Sequence, residues 1–536
     1  MRRVLALMAL ALLVATSAVY GQAQRGTVEV VVTDGDGSVI PGATVSAQST
    51  ETLSRRSVQT DEAGTALLVS LDPADNYVVT VSLEGFQTQR VEQVIVRAGQ
   101  TQLIEAQLAL SELTEELVVT AEAPLVDVTK TQAGQTITLE LTESLPTARS
   151  YQDYLQLVPG VQDSIDGDGN PASRSGVNYR DIAGDVGRST DNLYYFDGIN
   201  TTDRTLGTFG ANLNTEIIQE QSVLTGAIPA EFVGVPGLVS NVVTKSGGNE
   251  FSGSVNYYLQ NDSLVEDNDN FEDESFSTFD AALTLGGPIV RDKAWFFASY
   301  RLIEREEDVV SPEGVLLRSP TRESDQGFLK ATWAITDSDV ISGTFLNDPT
   351  DQDGSFTRTR PNSADITLED GGERYSLGYN RVWGSASFEL AGTSHESDVN
   401  RFPKNRDPAN TVSFQPGANF TSDQETLGGS GTDLVELRGN ESFRTSLEYL
   451  FDTGWGDHAV KVGYVYGESE LFENDQTTGD PPATYISLNA GLVGTPVFLC
   501  EVVGTCGDAF STSDYGISPD EFQNFRGNLS ATQQAT

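Results

Sequence analysis

Few residues in this chain have the type and spacing to do chemistry. It holds two histidines, His395 and His458, and neither is spaced with a serine, cysteine or aspartate as a nucleophile–base set. Both read as surface or interfacial residues, one near a strand end beside a loop and the other beside a tight turn. A phosphate loop, a dinucleotide fingerprint and a nucleophile elbow are all missing from the sequence. Enzymatic activity is therefore not expected. Cys500 and Cys506 lie close together in a glycine-containing segment, a spacing that suits a small loop disulfide in an oxidising compartment. Two free thiols is the alternative. Asp163, Asp166, Asp168 and Asn170 follow the oxygen-rich, glycine-punctuated order of a Ca2+ loop. If that loop starts at Ser164, its twelfth position is Ser175 and not a carboxylate. Ion site and plain loop both stay open, and no other cofactor is expected.

Seventy-eight acidic and 32 basic residues give a net charge of −46. Phosphate recognition needs clustered Lys and Arg, so nucleic acid is not an expected partner. The charge suits solvated surface loops and can draw in cationic ligands. Arg2 and Arg3 precede an apolar run over 4–15, and small residues follow around 18–23. That is the plan of a secretory signal peptide over residues 1–23. Beyond it no apolar run reaches the ~20 residues of a transmembrane helix. The mature chain is then either soluble or a membrane barrel.

The elements that must position these residues are mainly strands. Residues 25–110 hold short alternating strands at 26–33, 43–47, 66–69, 77–83, 91–96 and 101–110, with turn residues between them, which predicts a small Ig-like β-sandwich. Asp34-Gly35, the 41–45 segment PGATV, the 60–64 segment TDEAG and the 77–81 segment YVVTV ending at Gly85-Phe86 resemble the carboxypeptidase regulatory-like domain family, a non-catalytic module. Residues 111–124 form an acidic linker around a β-prone core, and such an extended segment can add a strand to another protein. A strand at 131–139 and a short helix at 154–158, stopped by Pro159-Gly160, follow. From Phe251 the texture changes, and every second residue is apolar.

This order, with Phe196-Asp197-Gly198 in the 195–200 segment and the 242–248 segment VVTKSGG, resembles the plug domain of TonB-dependent outer-membrane receptors. A regulatory-like sandwich ahead of the plug resembles the Oar-like branch of that family. The resemblance implies an α+β plug over 125–248 and a barrel over 249–536. It also implies that Glu116, Leu117, Val118, Val119, Thr120 and Ala121 are the TonB box, which adds a strand to an energising periplasmic protein. The implied partners are that TonB-type protein, outer-membrane lipid and an unidentified extracellular ligand.

A barrel should alternate short periplasmic turns with long outer loops. The pattern predicts nine strands, at 251–260, 279–289, 294–303, 327–335, 340–346, 375–382, 385–391, 442–451 and 459–466. Tight turns at 290–293, 336–339, 383–384 and 452–457 alternate with long acidic connections. Leu329, Ala331 and Trp333 alternate with Lys330 and Thr332, apolar row to lipid and polar row to lumen. Trp295, Phe296 and Phe297 are expected in an interfacial girdle, and the residues from Glu468 onward in a loop-like tail. An odd strand count cannot close a bacterial barrel, and plugged transporters have about 22 strands, so a fragment of a longer chain is expected. The expected function is energised uptake of a large or scarce substrate. An Oar-like surface protein for adhesion, envelope organisation or export is the alternative.

Overall fold

The alternation Val28, Val30, Val32 makes β1 (Gly26–Asp34) a strand with one face wholly buried. It opens a sandwich continued by β2 (Thr44–Ser49), β3 (Arg55–Gln59), β4 (Thr65–Leu71), β5 (Ala74–Ser82), β6 (Gln89–Val96), β7 (Thr101–Leu108) and β8 (Leu117–Thr120). One sheet has the order β4-β1-β7 and the other β3-β2-β5-β6-β8. Asp34 and Asp61 build the turns: each Oδ1 accepts two backbone N–H groups at 2.9 Å, from Asp36 and Ser38 and from Ala63 and Thr65. β3 was not anticipated, because Arg55–Gln59 carries a single apolar residue, Val58, and no alternation.

The structure, a computed structural model, describes most of residues 25–477. Residues 1–24 and 478–536 lie outside the described residues, as do internal segments of which the longer are 121–132, 164–181 and 405–431. The expected leader over 1–23, the pair Cys500 and Cys506, and Asp166, Asp168 and Asn170 therefore lie outside them. Of the Ca2+-loop residues only the backbone of Asp163 is described.

The middle unit is a mixed sheet with short 3-10 turns at Asp153–Leu157 and Thr215–Ile217. Its strands are β9 (Ala133–Thr138), β10 (Gln162–Asp163), β11 (Ile182–Ala183), β12 (Leu193–Phe196), β13 (Ile199–Asn200), β14 (Ile218–Gly226) and β15 (Val239–Thr244). The main sheet has the order β13-β12-β15-β14-β9, and every residue of its central strand β15 is buried. The core around Ile137, Leu155, Phe196, Ile217 and Val242 continues into Phe297, Phe328 and Leu346 of the following strands.

Those strands are all antiparallel to their partners: β16 (Ser252–Asn261), β17 (Phe276–Val290), β18 (Ala294–Glu307), β19 (Val309–Val310), β20 (Leu316–Arg318), β21 (Thr321–Ala334), β22 (Asp339–Asn347), β23 (Thr350–Asp353), β24 (Ile366–Trp383), β25 (Ala386–Pro403), β26 (Thr432–Thr453) and β27 (Gly456–Thr477). β19 and β20 pair only with each other, and β23 is a side strand against β21 and β24. The remaining nine run in chain order, each hydrogen-bonded to the next, as the alternation predicts. Val255, Leu283, Tyr300, Leu329, Leu377 and Val462 are exposed on one face. Asp280, Ser299, Arg301, Arg374, Asn380 and Arg444 are buried on the other, around the middle unit. The wall is therefore apolar outside and polar inside.

Three expectations need correction. The later strands are far longer than the apolar alternation: β26 and β27 have 22 residues each, so residues 468–477 are strand and not tail. The backbone ladder continues where strict alternation has ended, with Leu471 and Phe472 side by side among Glu468, Glu470 and Glu473, and apolar periodicity cannot mark that end. Trp295 and Phe297 are 5% and 6% exposed and point inward; they are not at a lipid interface. The indole N–H of Trp295 donates to Asn249 at 2.9 Å, and Phe297 packs on Phe328. His395 is buried on the inner face of β25 and is not at the surface.

Candidate functional site

The working parts of this architecture are the contacts that hold the middle unit inside the wall. Phe196, Asp197 and Gly198 close the β12–β13 hairpin, with Asp197 at φ 46° and Gly198 at φ 65°. Successive left-handed residues make the tight hairpin turn that glycine favours. The turn aims the Asp197 carboxylate back at β15, where it accepts the Thr244 N–H at 2.9 Å and the Thr244 hydroxyl at 2.7 Å. Lys330 of the wall reaches this group from β21, with its Nζ 2.8 Å from Thr244 Oγ1 and 3.4 Å from Asp197 Oδ2. Phe196 is 1% exposed, meets Phe328 edge-on at 6.1 Å, and lies under the Arg374 guanidinium at 5.6 Å. The segment leaving β15 then passes directly into β16. An added Cβ at Gly247 would stand 2.0 Å from the Phe296 carbonyl oxygen, so only glycine fits this seam.

A second contact centres on Arg149. Its Nε and Nη2 donate to Asp280 at 2.7 Å and Glu216 at 2.8 Å, and its guanidinium lies 3.8 Å from the Tyr258 ring centroid. Arg301 donates to both oxygens of Asp280, at 2.9 and 2.8 Å, while Asn256 donates to the other oxygen of Glu216. Burial alone would lower the Arg149 pKa, but the Asp280 and Glu216 carboxylates outweigh it and hold it above the ordinary value. Arg438 of β26 pairs with Asp203 and with its neighbour Glu436. Asp348 accepts the Asn212 N–H.

The sandwich reaches the same assembly from below. Glu220 on β14 accepts the Ala98 N–H at 2.9 Å, with Arg97 Nη1 at 3.5 Å from its other oxygen. Burial pushes the Glu220 carboxyl up to about 7, against the opposing pull of the Ala98 N–H and Arg97. Asn380 of the wall donates to Ser70 Oγ at 3.0 Å.

Of the residues singled out in the sequence, Phe196, Asp197 and Gly198 come together in the seam. The backbone of Leu117, Val118, Val119 and Thr120 forms β8, while Glu116 and Ala121 lie outside the described residues. Asp163 pairs through its backbone with Ile182. Sequence reading missed Arg149, Glu216, Glu220, Asp280 and Arg301. A faint signal existed, since Asp280 and Arg301 are single charges set into otherwise uncharged alternating runs.

Comparison with known proteins agrees with this layout. Residues 27–109 match the carboxypeptidase regulatory-like domain model, 127–237 the TonB-dependent receptor plug domain and 243–312 an outer membrane beta barrel domain. The TonB-dependent transporter Oar of Myxococcus xanthus is 28% identical over 54% of this chain and 28% of its own length. The outer membrane transporter YddB of Escherichia coli superposes at a TM-score of 0.52 and 15% identity, covering 67% of this chain and 50% of that one. The siderophore receptor PirA of Acinetobacter baumannii gives 0.47 and 18% identity, over 63% and 48%. The chain thus spans half or less of the length of these relatives. Fold and matched models describe one kind of architecture, a plug domain held against the strands of an outer-membrane barrel wall. The three matched domains are the domain set of a TonB-dependent receptor with a regulatory-like sandwich ahead of the plug, and in this the chain is similar to Oar.

Proposed function

We propose that the chain is the plug-bearing part of an outer-membrane transporter that takes up a large or scarce substrate when a TonB-type periplasmic protein pulls on Glu116–Ala121. In this reading 1–23 is an export leader, 25–110 a periplasmic sandwich, 111–124 the coupling linker, 125–248 the plug, and 249–536 barrel wall with acidic outer loops. The observation that carries it is the seam itself. The plug is held by discrete charged contacts, Asp197–Lys330 and Arg149–Asp280–Arg301, and not by an apolar core alone. Polar contacts of this kind can break and re-form as water enters, so force on the plug can open a path without unfolding the wall. The substrate is an extracellular ligand met first by the outer loops.

Deleting Glu116–Ala121 from the full-length gene tests the reading. A null strain carrying the wild-type or deleted gene is grown on a panel of nutrients too large for porins, with the receptor quantified in outer-membrane fractions. The expected result is loss of growth on the nutrient that only the wild type supports, at unchanged receptor level. Unchanged growth together with lost surface attachment would instead favour a scaffold for adhesion or export.

A further inference from the structure

The sandwich holds two bodies at once. On the wall side, Ser70 of β4 accepts the side-chain N–H of Asn380 of β24 at 3.0 Å. On the plug side, the Ala98 N–H and Arg97 meet Glu220 of β14, and Gln100 Nε2 donates to Thr136 of β9 at 3.3 Å. The wall contact lies beside the tight turns at 336–339 and 383–384, because Ser338, Trp383 and Gly384 face β3 and β4 across a shared cleft. Tight turns mark the periplasmic end of an outer-membrane barrel. One small domain therefore bridges plug and wall at the periplasmic mouth.

The wall side of this bridge is built to come apart. Val69 and Val382 border the cleft and are buried, so some apolar surface is covered there. Yet the cleft itself leaves about 400 Å³ unfilled between the two bodies. A contact with such a gap forgoes the dispersion attraction that close packing supplies. Small, partly polar contacts between domains of one chain also permit relative motion. Ser70 adds a second sign. Its φ of 58° is a left-handed conformation that serine seldom adopts. That conformation is held by its surroundings, with Arg25 donating to its carbonyl at 3.2 Å and Asn380 to its hydroxyl. Release from Asn380 removes one of the two holds.

We infer that the sandwich is a detachable staple: docked, it ties plug to wall at the periplasmic mouth, and the plug shifts only after the domain has let go of Asn380. The inference relies on the coupling role proposed above only for the force that moves the plug. A body bonded to both partners resists any displacement of one against the other. Its plug side has the contacts of Glu220 and Thr136, while its wall side has Asn380 beside an unfilled cleft. The domain therefore parts from the wall and travels with the plug.

Two measurements on the full-length protein test this. In the purified protein, hydrogen exchange is followed at the Asn212 N–H, which bonds Asp348 across the plug–wall contact. Asn380→Ala is expected to speed that exchange at least about threefold, because plug excursions lose a restraint. Ser70→Ala, which removes the same bond from the sandwich side, should act alike. Unchanged exchange in both variants would overturn the staple. In energised cells, with the native cysteines changed to serine, Leu213→Cys sits in the core between plug and wall, and its reaction with a membrane-impermeant maleimide reports plug movement. Ser70→Cys and Asn380→Cys are added and joined beforehand by a short bis-maleimide. Labelling should then fall at least about tenfold below that of a chain with Ser70→Cys alone, treated alike. Equal labelling of joined and unjoined chains would overturn the staple and leave the coupling role intact. No labelling in either chain, or labelling that survives deletion of Glu116–Ala121, would count against the coupling role instead, and the exchange measurement would then decide the staple.

Discussion

A protein of such negative charge keeps several of its basic residues inside. Arg301, Arg374, Arg438 and Arg444 are each less than a tenth exposed, and all face the lumen. They belong there because a buried guanidinium is tolerable only beside a carboxylate or another concentrated acceptor. Asp280 is the most heavily shared of these acceptors, since Arg149 from the plug and Arg301 from the wall both donate to it. Asp280→Ala would leave the two cations facing each other and should cost about 3–5 kcal/mol, the usual penalty for removing one partner from a buried ion pair. A lowered thermal midpoint of the detergent-solubilised protein would record it. Asp280→Asn, which keeps an acceptor, should lose less. No local pattern could name these partners. Arg149 and Asp280 are 131 residues apart, and only the register of the assembled sheet brings them together. The Phe196-Asp197-Gly198 turn was legible through the family resemblance, and the structure shows its chemistry to be local: left-handed backbone, a glycine and a carboxylate that bonds within its own sheet.

Among elements, the contact of Arg97 and Ala98, just past β6, with Glu220 of β14 is expected to respond to pH. Burial raises the Glu220 carboxyl to about 7 in the docked sandwich–plug pair, above its ordinary value of 4.5. The docked form therefore binds a proton over a range where the free carboxyl has lost it. Its contribution is complete below the ordinary value and is lost as pH rises through about 7, a swing on the order of 3 kcal/mol at most. Thermal unfolding between pH 5 and 8 should show the docked arrangement weakening toward the alkaline end, and Glu220→Gln should flatten that dependence. A wild-type profile already flat would mean that Arg97 holds Glu220 ionised throughout. Element identity was mostly readable from apolar alternation, as in Leu329 and Trp333 outward with Lys330 inward. It failed where alternation carries no facing information. The aromatic run Trp295-Phe296-Phe297 is apolar on both faces, so nothing in it announces that two of its rings turn toward the plug. β8 was readable as an extended segment, but not as a strand of the sandwich, because its partner β6 is chosen by the route of the chain from Leu108 onward.

For the whole molecule the outward apolar band is the dominant physical fact. Leu283 is 54% exposed in the middle of β17, opposite Val255 and Tyr300, which are exposed on the same face. Leu283→Arg should destabilise the membrane-inserted protein by about 2–4 kcal/mol, as cations do near the bilayer midplane. The same change on a soluble surface would cost almost nothing. Loss of heat-modifiable gel mobility in outer-membrane fractions would report the expected failure, and unaltered mobility would contradict a lipid-facing position. The β26–β27 hairpin has a different consequence, which is altitude. Twenty-two residues at ~3.3 Å each make a strand of roughly 70 Å, while the apolar band of a bacterial barrel is only about 25 Å tall. Even with a steep tilt, much of the hairpin stands clear of the lipid on the side away from the Thr453–Gly456 turn. Glu468, Glu470, Glu473 and Asp475 line that raised part and are exposed. In the orientation proposed above, a solute coming from outside meets an acidic parapet before it meets lipid or plug. The parapet slows polyanions and concentrates cations within a screening distance of about 8 Å at physiological salt.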